Sequence, residues 1–318
     1  MATTGIARAG GYPDYSSTGV NGQYIPEVWS LLLTEKVYQN TVFTEICDLS
    51  WEGEIRRLGD IVHIRQTPDM NILPYAIGQT ITYQVPTSTA TDLTIDQALY
   101  WAYTIDDYDR YAADIDLMDD FTQAAVQQTM VQQDQILLAT IPAQAGALNS
   151  GNNAGAQSGA IDLGSVAAPL RVNSLNVLDS VLFAASQTLD EQNIPYDGRR
   201  WIVLPSWAIR KLRNSEIKLV YETGDAVSPA RNGKVGRIAD FTVYQSNNLS
   251  SFIDNYQRTY NIPFGWSPGL AWASQFTETD IVKLISQIGV GVRSVCAFGF
   301  NTVVPNFVGN IVAQEIAG

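Results

Sequence analysis

The stretch that decides the fold runs from Gln79 to Asp107 and reads QTITYQVPTSTATDLTIDQALYWAYTIDD. Between Leu93 and Ile105 every odd position except Gln97 is apolar, which is the two-residue period of a β-strand. A strand of this length is about twice the usual five or six residues and would reach roughly 40 Å. The radius of gyration expected for a 318-residue globule is only about 20 Å. The sequence therefore predicts a β-ribbon that needs a surface beyond its own small core.

The composition indicates a protein with extensive protein contacts. Hydrophobic residues make up 46% of the chain, which is enough for a core, and the length suits two domains or one domain with large excursions. Charged residues make up only 16%, against about 25% in an average soluble chain. Since charged groups are depleted at interface centres, this surface suits contact with other protein. An ordinary acidic secreted domain is the alternative at this point.

The charge and the cysteines exclude several function classes. A net charge of −13 repels nucleic acid and anionic membranes over most of the surface. Cys47 and Cys296 lack metal-site spacing, and we expect two buried free thiols. The N-terminal residues MATTGIARAGGYPDYSS contain no apolar signal-peptide core, and no apolar run reaches membrane-spanning length. We expect a soluble chain made in the cytoplasm, with no membrane contact.

The order of predicted elements begins with an extended arm over residues 1 to 25 and an amphipathic helix from Pro26 to about Tyr38. Residues 41–105 are strand-rich, with an irregular tip from Pro68 to Gly78. Leu117 to Thr140 reads as one helix that Pro142 ends, and residues 143–168 read as a flexible surface excursion.

In the second half, Asn173 caps a helix to about Asn193, whose inner face is predicted to hold leucines and an alanine. The inner-face residues are Leu175, Leu178, Leu182, Ala185 and Leu189. RRWIVLP reads as a buried strand, and Ser206 begins a further helix. An Asn232-Gly233 turn precedes KVGRIADFTVYQSNNL, which alternates like one strand, and the chain from Asp280 onward is again strand-rich.

Little in the sequence indicates catalysis. His63 is the sole histidine and lies at an exposed strand position, without a nucleophile motif nearby. Seven aspartates lie between residues 106 and 120: Asp106, Asp107, Asp109, Asp114, Asp116, Asp119 and Asp120. They lack the EF-hand pattern, so contact with arginines of another chain is favoured over simple solvation and over a metal ion. Basic residues between 199 and 218 alternate with Trp201 and Trp207, which favours protein contact over nucleic acid.

Three stretches carry a family resemblance. GDIVHIRQTPDMNILPY, followed by GQTITYQVPT and LTIDQALYWAYTIDDYD, is similar to the β-arm of tailed-phage major capsid proteins with the Hong Kong 97-type fold. RRWIVLPSWAIRKLR resembles the strand and helix of the axial domain of that family. GKVGRIADFTVYQSNNL resembles a further family stretch, with Ala239-Asp240 where glycine often precedes Phe241. With the segments between them, these stretches cover most of residues 25 to 250.

The resemblance implies an α+β fold in four parts. These are an N-terminal arm with a short helix (1–40), an extended β-arm or E-loop (41–105), a peripheral domain with a spine helix (106–168 and 276–318) and an axial domain (170–275). Expected contacts between subunits involve acidic and basic residues: Arg65, Asp69, Asp106, Asp107, Asp109, Arg110, Asp116, Arg199, Arg200 and Arg210. No catalytic residue, cofactor or metal is expected.

The resemblance also implies partners and a location. The chain is expected to assemble with its own copies, in pentamers and hexamers, into the icosahedral virion shell around double-stranded DNA, without sequence-specific DNA binding. A portal and, optionally, a cement protein are further partners. No long charged helical segment precedes the arm, so a separate scaffolding protein is expected. An encapsulin-type nanocompartment shell is the alternative, and an acidic hydrolase is a more distant one.

One departure from some relatives concerns a covalent link. Those relatives join the β-arm to a neighbouring subunit through a lysine, whereas this chain has no lysine between Lys36 and Lys211. The sequence therefore predicts a shell without an isopeptide bond formed from the β-arm.

Overall fold

The computed structural model describes residues 39, 41–51, 61–68, 70–87, 90–112, 117–215, 236–254, 257–284 and 288–316. For residues 109, 110, 112, 117 and 275–277 it describes the main chain alone. The predicted helix at Pro26–Tyr38, the Asn232-Gly233 turn, and Asp69, Asp114 and Asp116 lie outside the described residues.

The described residues form a mixed α/β fold. The helices are α1 (Phe43–Ile46), α2 (Asp107–Ala112), α3 (Leu117–Gln144), α4 (Ala184–Asp190), which continues a π-helical stretch (Leu178–Phe183), and α5 (Ser206–Arg213). The strands are β1 (Ile61–Arg65), β2 (Ala90–Thr94), β3 (Gln97–Asp106), β4 (Leu170–Val172), β5 (Arg200–Leu204), β6 (Arg237–Ile238), β7 (Phe241–Gln245), β8 (Ser251–Asp254), β9 (Gln257–Trp266), β10 (Leu270–Lys283), β11 (Gly289–Thr302) and β12 (Val308–Glu315). Within these residues, no helix is long and apolar enough to cross a bilayer.

A seven-stranded sheet organises the main core. Its order is β4-β12-β9-β5-β7-β6, and β8 pairs with β9. Every residue of β5 is buried, which explains the unbroken apolar run of RRWIVLP and confirms the predicted strand. The predicted helix at Ser206 is confirmed as α5.

The helix that follows Asn173 is confirmed in outline. The Asn173 side-chain oxygen accepts hydrogen bonds from the main-chain N–H groups of Leu175 and Asn176, at 2.8 and 3.0 Å. Leu182, Ala185 and Leu189 are buried and Leu178 packs against the core, as predicted. Leu175 was wrongly placed on the inner face: it lies in the capping turn and is 87% exposed.

The predicted single strand from Leu93 to Ile105 is wrong. The chain breaks at Ile95-Asp96 into β2, which pairs with β1, and β3, which pairs with β11 of the same chain. A Cβ on Gly299 of β11 would lie 2.8 Å from the Ile95 Cα, so the break fits against a residue without a side chain. Apolar alternation continues through the break, and periodicity could not reveal it.

Helix α3 is confirmed but is longer than predicted, because Pro142 does not end it. Only two residues follow Pro142 in the helix, so a single missing N–H near the C-terminus disrupts little. Near its middle, the buried Asp134 carboxylate accepts hydrogen bonds from the N–H groups of Val42 and Phe43, at 3.0 Å each, and from Asn248 Nδ2 at 2.7 Å. Burial raises the pKa of Asp134.

The two cysteines differ in burial. Cys47 is buried, as predicted, and burial raises the pKa of its thiol. Cys296 is only half-buried, which corrects the prediction, and its sulfur accepts a hydrogen bond from Gln133 Nε2 at 3.1 Å.

The low-complexity stretch 143–168 is not a flexible surface excursion. Asn149, Ala154 and Leu163 are fully buried, and Leu163 accepts a main-chain hydrogen bond from Val312 of β12. Small residues let this segment pack closely against the seven-stranded sheet. Composition alone indicated a flexible surface segment, because it does not show what the segment packs against.

Glu191 fixes the outer part of this segment, and we expect a pH-dependent contribution to stability. Its carboxylate accepts the N–H groups of Ser158 and Gln157, at 3.0 and 2.8 Å, and these bonds lower its pKa from 4.5 to about 2. Because the folded pKa is depressed, the contribution is complete above pH 4.5 and is lost as the pH falls toward 2. Glu191→Gln should therefore lower the urea unfolding midpoint at pH 7 and leave it nearly unchanged near pH 2.

Gln187→Ala is the matched control, because Gln187 donates a hydrogen bond to the other Glu191 oxygen, at 3.0 Å, and leaves the two main-chain bonds from the segment in place. That variant should keep the pH dependence. A wild-type and Glu191→Gln difference that is the same at both pH values would contradict the assignment.

Another correction concerns KVGRIADFTVYQSNNL, within which Arg237–Ile238 and Phe241–Gln245 form the hairpin of β6 and β7 instead of one strand. Its two turn residues, Ala239 and Asp240, have φ of 49° and 64°, a conformation that usually requires glycine or asparagine. We expect Asp240→Gly to stabilise the fold by about 1 kcal/mol and Asp240→Ala to destabilise it. Thermal unfolding of the two variants checks this, and equal melting temperatures would contradict it.

Candidate interaction surface

Among the described residues, the most exposed apolar segment is 70–87, here called the exposed arm. It contains no charged residue and no helix or strand. Gln79 N–H donates to the Ala76 carbonyl at 3.0 Å in a turn where Gly78 has φ 88°. The two limbs are joined by the Gln84 side chain, which bonds the main-chain N–H and carbonyl of Asn71, at 3.2 and 2.7 Å.

Every residue from 70 to 87 is exposed to solvent in the single subunit, and eight of them have large apolar side chains. These are Met70, Ile72, Leu73, Tyr75, Ile77, Ile81, Tyr83 and Val85. Ile72, Ile77 and Tyr83 reach 91%, 100% and 93% exposure. Apolar side chains that a folded subunit leaves exposed to this extent mark an interaction site. Residues 79–87 belong to the stretch that was predicted to be strand-rich, but they form no strand and pair with none of the described strands.

The base of the exposed arm is anchored on its own subunit. In the β1–β2 pair, Ile64 and Leu93 are buried together with Ala271, Ala273 and Ala297 of the three-stranded sheet. Gln66 Nε2 and Thr91 Oγ1 both donate to the Val303 carbonyl, at 2.8 and 3.1 Å. The arm therefore projects from a fixed base.

His63 lies on this base, opposite Asp92, with Nδ1 and Oδ1 2.5 Å apart. Its side chain is exposed, as predicted. It pairs across the strands with a carboxylate and not with a nucleophile.

The described aspartates of the 106–120 cluster lie at the end of β3 and in α2, and one of them caps α2. Asp106 and Asp107 are both exposed, and the Asp106 carboxylate accepts the Tyr108 N–H at 2.8 Å at the start of α2. The main chain of Asp109 and Arg110 lies within α2. Within the described part of the chain, no group of three or more His, Cys, Asp or Glu could hold a metal ion.

The predicted basic contact residues lie in different surroundings. Arg65 is exposed at the end of β1. Arg199 bonds Asp197 at 2.7 Å and lies 5.0 Å above the Trp266 ring. The N–H groups of Arg199 and Trp266 counteract the burial of Asp197 and lower its pKa. Arg210 pairs with Glu315 and is largely exposed. The structure does not bring these arginines to the described aspartates of the 106–120 cluster.

Arg200 is fully buried, which does not suit its predicted role as an intersubunit contact. It pairs with Asp190 at 2.7 Å, donates to the Ile194 carbonyl and lies 4.1 Å from the Tyr196 ring centre. Its side chain has no exposed surface in the subunit, so burial disfavours the intersubunit role, which stays a prediction. Arg199 and Arg200 are adjacent in RRWIVLP, but Arg199 precedes β5 and is exposed, whereas Arg200 is the first residue of this fully buried strand.

Two exposed aromatic residues, Tyr100 and Tyr111, were not identified from the sequence. Trp101 and Tyr103 stack at 5.8 Å on the face of β3 toward α3, where Tyr103 also meets Phe121 edge-on. Tyr100 points the other way and is 81% exposed, and Tyr111 of α2 is 91% exposed. The strict alternation of β3 was the signal that could have placed Tyr100 on an open face.

The chain matches known proteins by structure but not by sequence. No protein-family model matches the chain, and no curated protein sequence matches it. A structure from Mycobacterium phage Che8 matches with a TM-score of 0.73 and 21% identity, covering 91% of this chain and 97% of that one.

Two further matches are named as capsids. The capsid structure of cyanophage P-SCSP1u has a TM-score of 0.66 at 14% identity, covering 92% of this chain and 93% of that one. The mature capsid of bacteriophage PhiM1 has a TM-score of 0.67 at 11% identity, covering 96% of each chain. At sequence identities this low, the comparisons show a shared fold and nothing more specific. The chain has the mixed α/β fold of phage capsid proteins, and the predicted resemblance is confirmed at that level.

Proposed function

We propose that this chain is a major capsid protein that self-assembles into the icosahedral head shell around the double-stranded DNA of a tailed phage. The observation that carries the proposal is the uncharged, fully exposed arm on a fold shared, over nearly its whole length, with phage capsid chains. An arm that its own subunit leaves uncovered needs another copy to cover it. Such head-to-tail contacts generate closed rings when the rotation closes.

The proposal keeps the structural parts that the resemblance implies. The Hong Kong 97-type arm, peripheral domain and axial domain are kept as the proposed parts, with α3 as the spine helix. Two of the predicted bounds do not fit the sheets, because β12 pairs with β9 of the predicted axial domain and β3 of the predicted arm pairs with β11. Copies meet in pentamers and hexamers, and a separate scaffolding protein and a portal are further partners. The net charge of −13 suits a wall along which packaged DNA moves without sequence-specific binding.

A non-enzymatic role fits the described site residues better than hydrolysis. A glycoside hydrolase needs two carboxylates facing each other across the scissile bond. Asp106 and Asp107 instead are neighbours at one strand–helix junction, and both are exposed.

Negative-stain electron microscopy tests the proposal. The full-length chain, expressed alone and with its scaffolding protein, is expected to form closed shells. Particles that contain DNA support a phage head, whereas particles that enclose a protein cargo support the encapsulin-type alternative. A chain that stays monomeric at high concentration in both preparations would contradict either role.

The lack of lysine in the β-arm gives a separate prediction. Intact particles boiled in denaturant should run as a single band at the subunit mass of 34.8 kDa. The physical reason is that no amine is available between Lys36 and Lys211 to form an isopeptide bond. A ladder of covalent oligomers that traces to residues 41–105 would contradict this prediction.

A further inference from the structure

The helix that follows Asn173 holds one residue more than a continuous α-helix would. Its first main-chain bond spans four residues, because the Val177 N–H donates to the Asn173 carbonyl at 3.2 Å. Across the π-helical stretch, the Ala184 N–H instead donates to the Asp179 carbonyl, five residues back. A π turn takes up an extra residue, so the turn before it is rotated by about 100° relative to a continuous α-helix.

This rotation decides which apolar side chain faces the core. In the structure Val177 is fully buried in the main core, and Leu175 is 87% exposed. In a continuous α-helix Leu175 would lie seven residues before the buried Leu182 and therefore on the same face. Val177 would lie five residues before Leu182 and would turn about 140° away from that face. The sequence thus provides one apolar residue for the inner position in each of the two registers.

Two side-chain bonds hold the present register. The Asn176 Oδ1 accepts the Asn173 N–H at 2.7 Å, and the Asn176 Nδ2 donates to the Arg171 carbonyl of β4 at 3.0 Å. A rotation of the first turn would break both bonds. Against this loss, a continuous α-helix would regain regular hydrogen bonds and would bury a leucine in place of the smaller valine. The two registers therefore have opposing contributions of comparable size.

We propose that this helix is a register switch, in which Leu175 and Val177 exchange between core and solvent as the π-helical stretch converts to α-helix. The α register withdraws the larger apolar side chain, so the subunit lowers its exposed apolar surface at this helix without unfolding. Both registers belong to a single copy, and the inference does not depend on the proposed function.

Methyl NMR of the full-length, dissociated subunit tests the switch. In the wild-type subunit we expect exchange on the microsecond to millisecond timescale at the methyl groups of Leu175 and Val177. Asn176→Ala removes both bonds that hold the present register, and we expect it to raise the population of the α register about tenfold. A soluble paramagnetic agent should then show Leu175 becoming less exposed and Val177 becoming more exposed.

Deletion of Asp179 is the matched control, because it removes the extra residue. The shortened helix can be continuous α-helix in its present orientation, with Leu175 six residues before Leu182 and off the inner face. In this variant Leu175 should stay exposed, the exchange should disappear, and adding Asn176→Ala should not change the exposure of Leu175.

Reciprocal changes at the two methyl positions support the switch. If Asn176→Ala exposes Val177 without protecting Leu175, the start of the helix merely frays, and the proposal is overturned. Unchanged exposure of both residues in a folded Asn176→Ala subunit overturns it as well. Should that variant not fold, the wild-type subunit decides: reciprocal exchange at Leu175 and Val177 supports the switch, and its absence overturns it.

Discussion

Replacing Ile81, Tyr83 and Val85 together by aspartate is expected to abolish assembly and to leave the subunit folded. In the single chain these side chains are 64%, 93% and 86% exposed, so the folded subunit loses little packing. In the assembled state each would bury apolar area worth about 1.5 kcal/mol or more. Three losses of this size, together with three charges to desolvate, correspond to a weakening of about 1,000-fold or more.

Sedimentation of the assembly reaction measures this effect, and thermal unfolding of the dissociated subunit checks its fold. We expect a change in subunit stability within about 0.5 kcal/mol. Leu175→Asp is the matched control, since Leu175 is 87% exposed but lies outside the arm. Normal particle yield from the triple variant would show that the exposed arm is not an assembly contact.

Asp134→Ala should cause the largest loss of subunit stability. The variant removes the carboxylate that accepts hydrogen bonds from the N–H groups of Val42 and Phe43 and from the side chains of Asn248 and Ser246. Removing one member of such a buried network costs about 3–5 kcal/mol. Because Asp134 holds α1 against α3, the region around Val42 and Phe43 should separate first.

Urea unfolding measures the loss, and hydrogen exchange at Val42 and Phe43 locates it. Asp134→Asn is the control, because its side-chain oxygen can still accept both main-chain N–H groups and its loss should be clearly smaller. Equal unfolding midpoints for wild type and Asp134→Ala would rule out a structural role for this carboxylate.

Local pattern was sufficient for elements whose environment is uniform along their length. β5 is buried at every position, so its apolar run identified it, and α5 began at the predicted Ser206. Asn173 was recognisable as a cap because the capping hydrogen bonds are local. These parts of the fold depend on neighbouring residues in the sequence.

The features that were missed depend on tertiary contacts. The break at Ile95-Asp96 fits against Gly299, which is distant in sequence. The burial of Ala154 and Leu163 depends on the seven-stranded sheet, and the burial of Arg200 depends on Asp190. The candidate surface was predicted less well than the fold, because charged residues were chosen and the exposed apolar positions of residues 70–87 were not.

Hydrogen–deuterium exchange of residues 70–87 tests the central claim most directly, since the claim is that one copy covers what another leaves exposed. The comparison is between dissociated subunits and intact particles of the full-length chain. We predict rapid exchange throughout this segment in the subunit and at least about 100-fold slower exchange at its protected positions in the particle. Equally rapid exchange in both states would show that no neighbouring copy covers the arm, and would contradict the account.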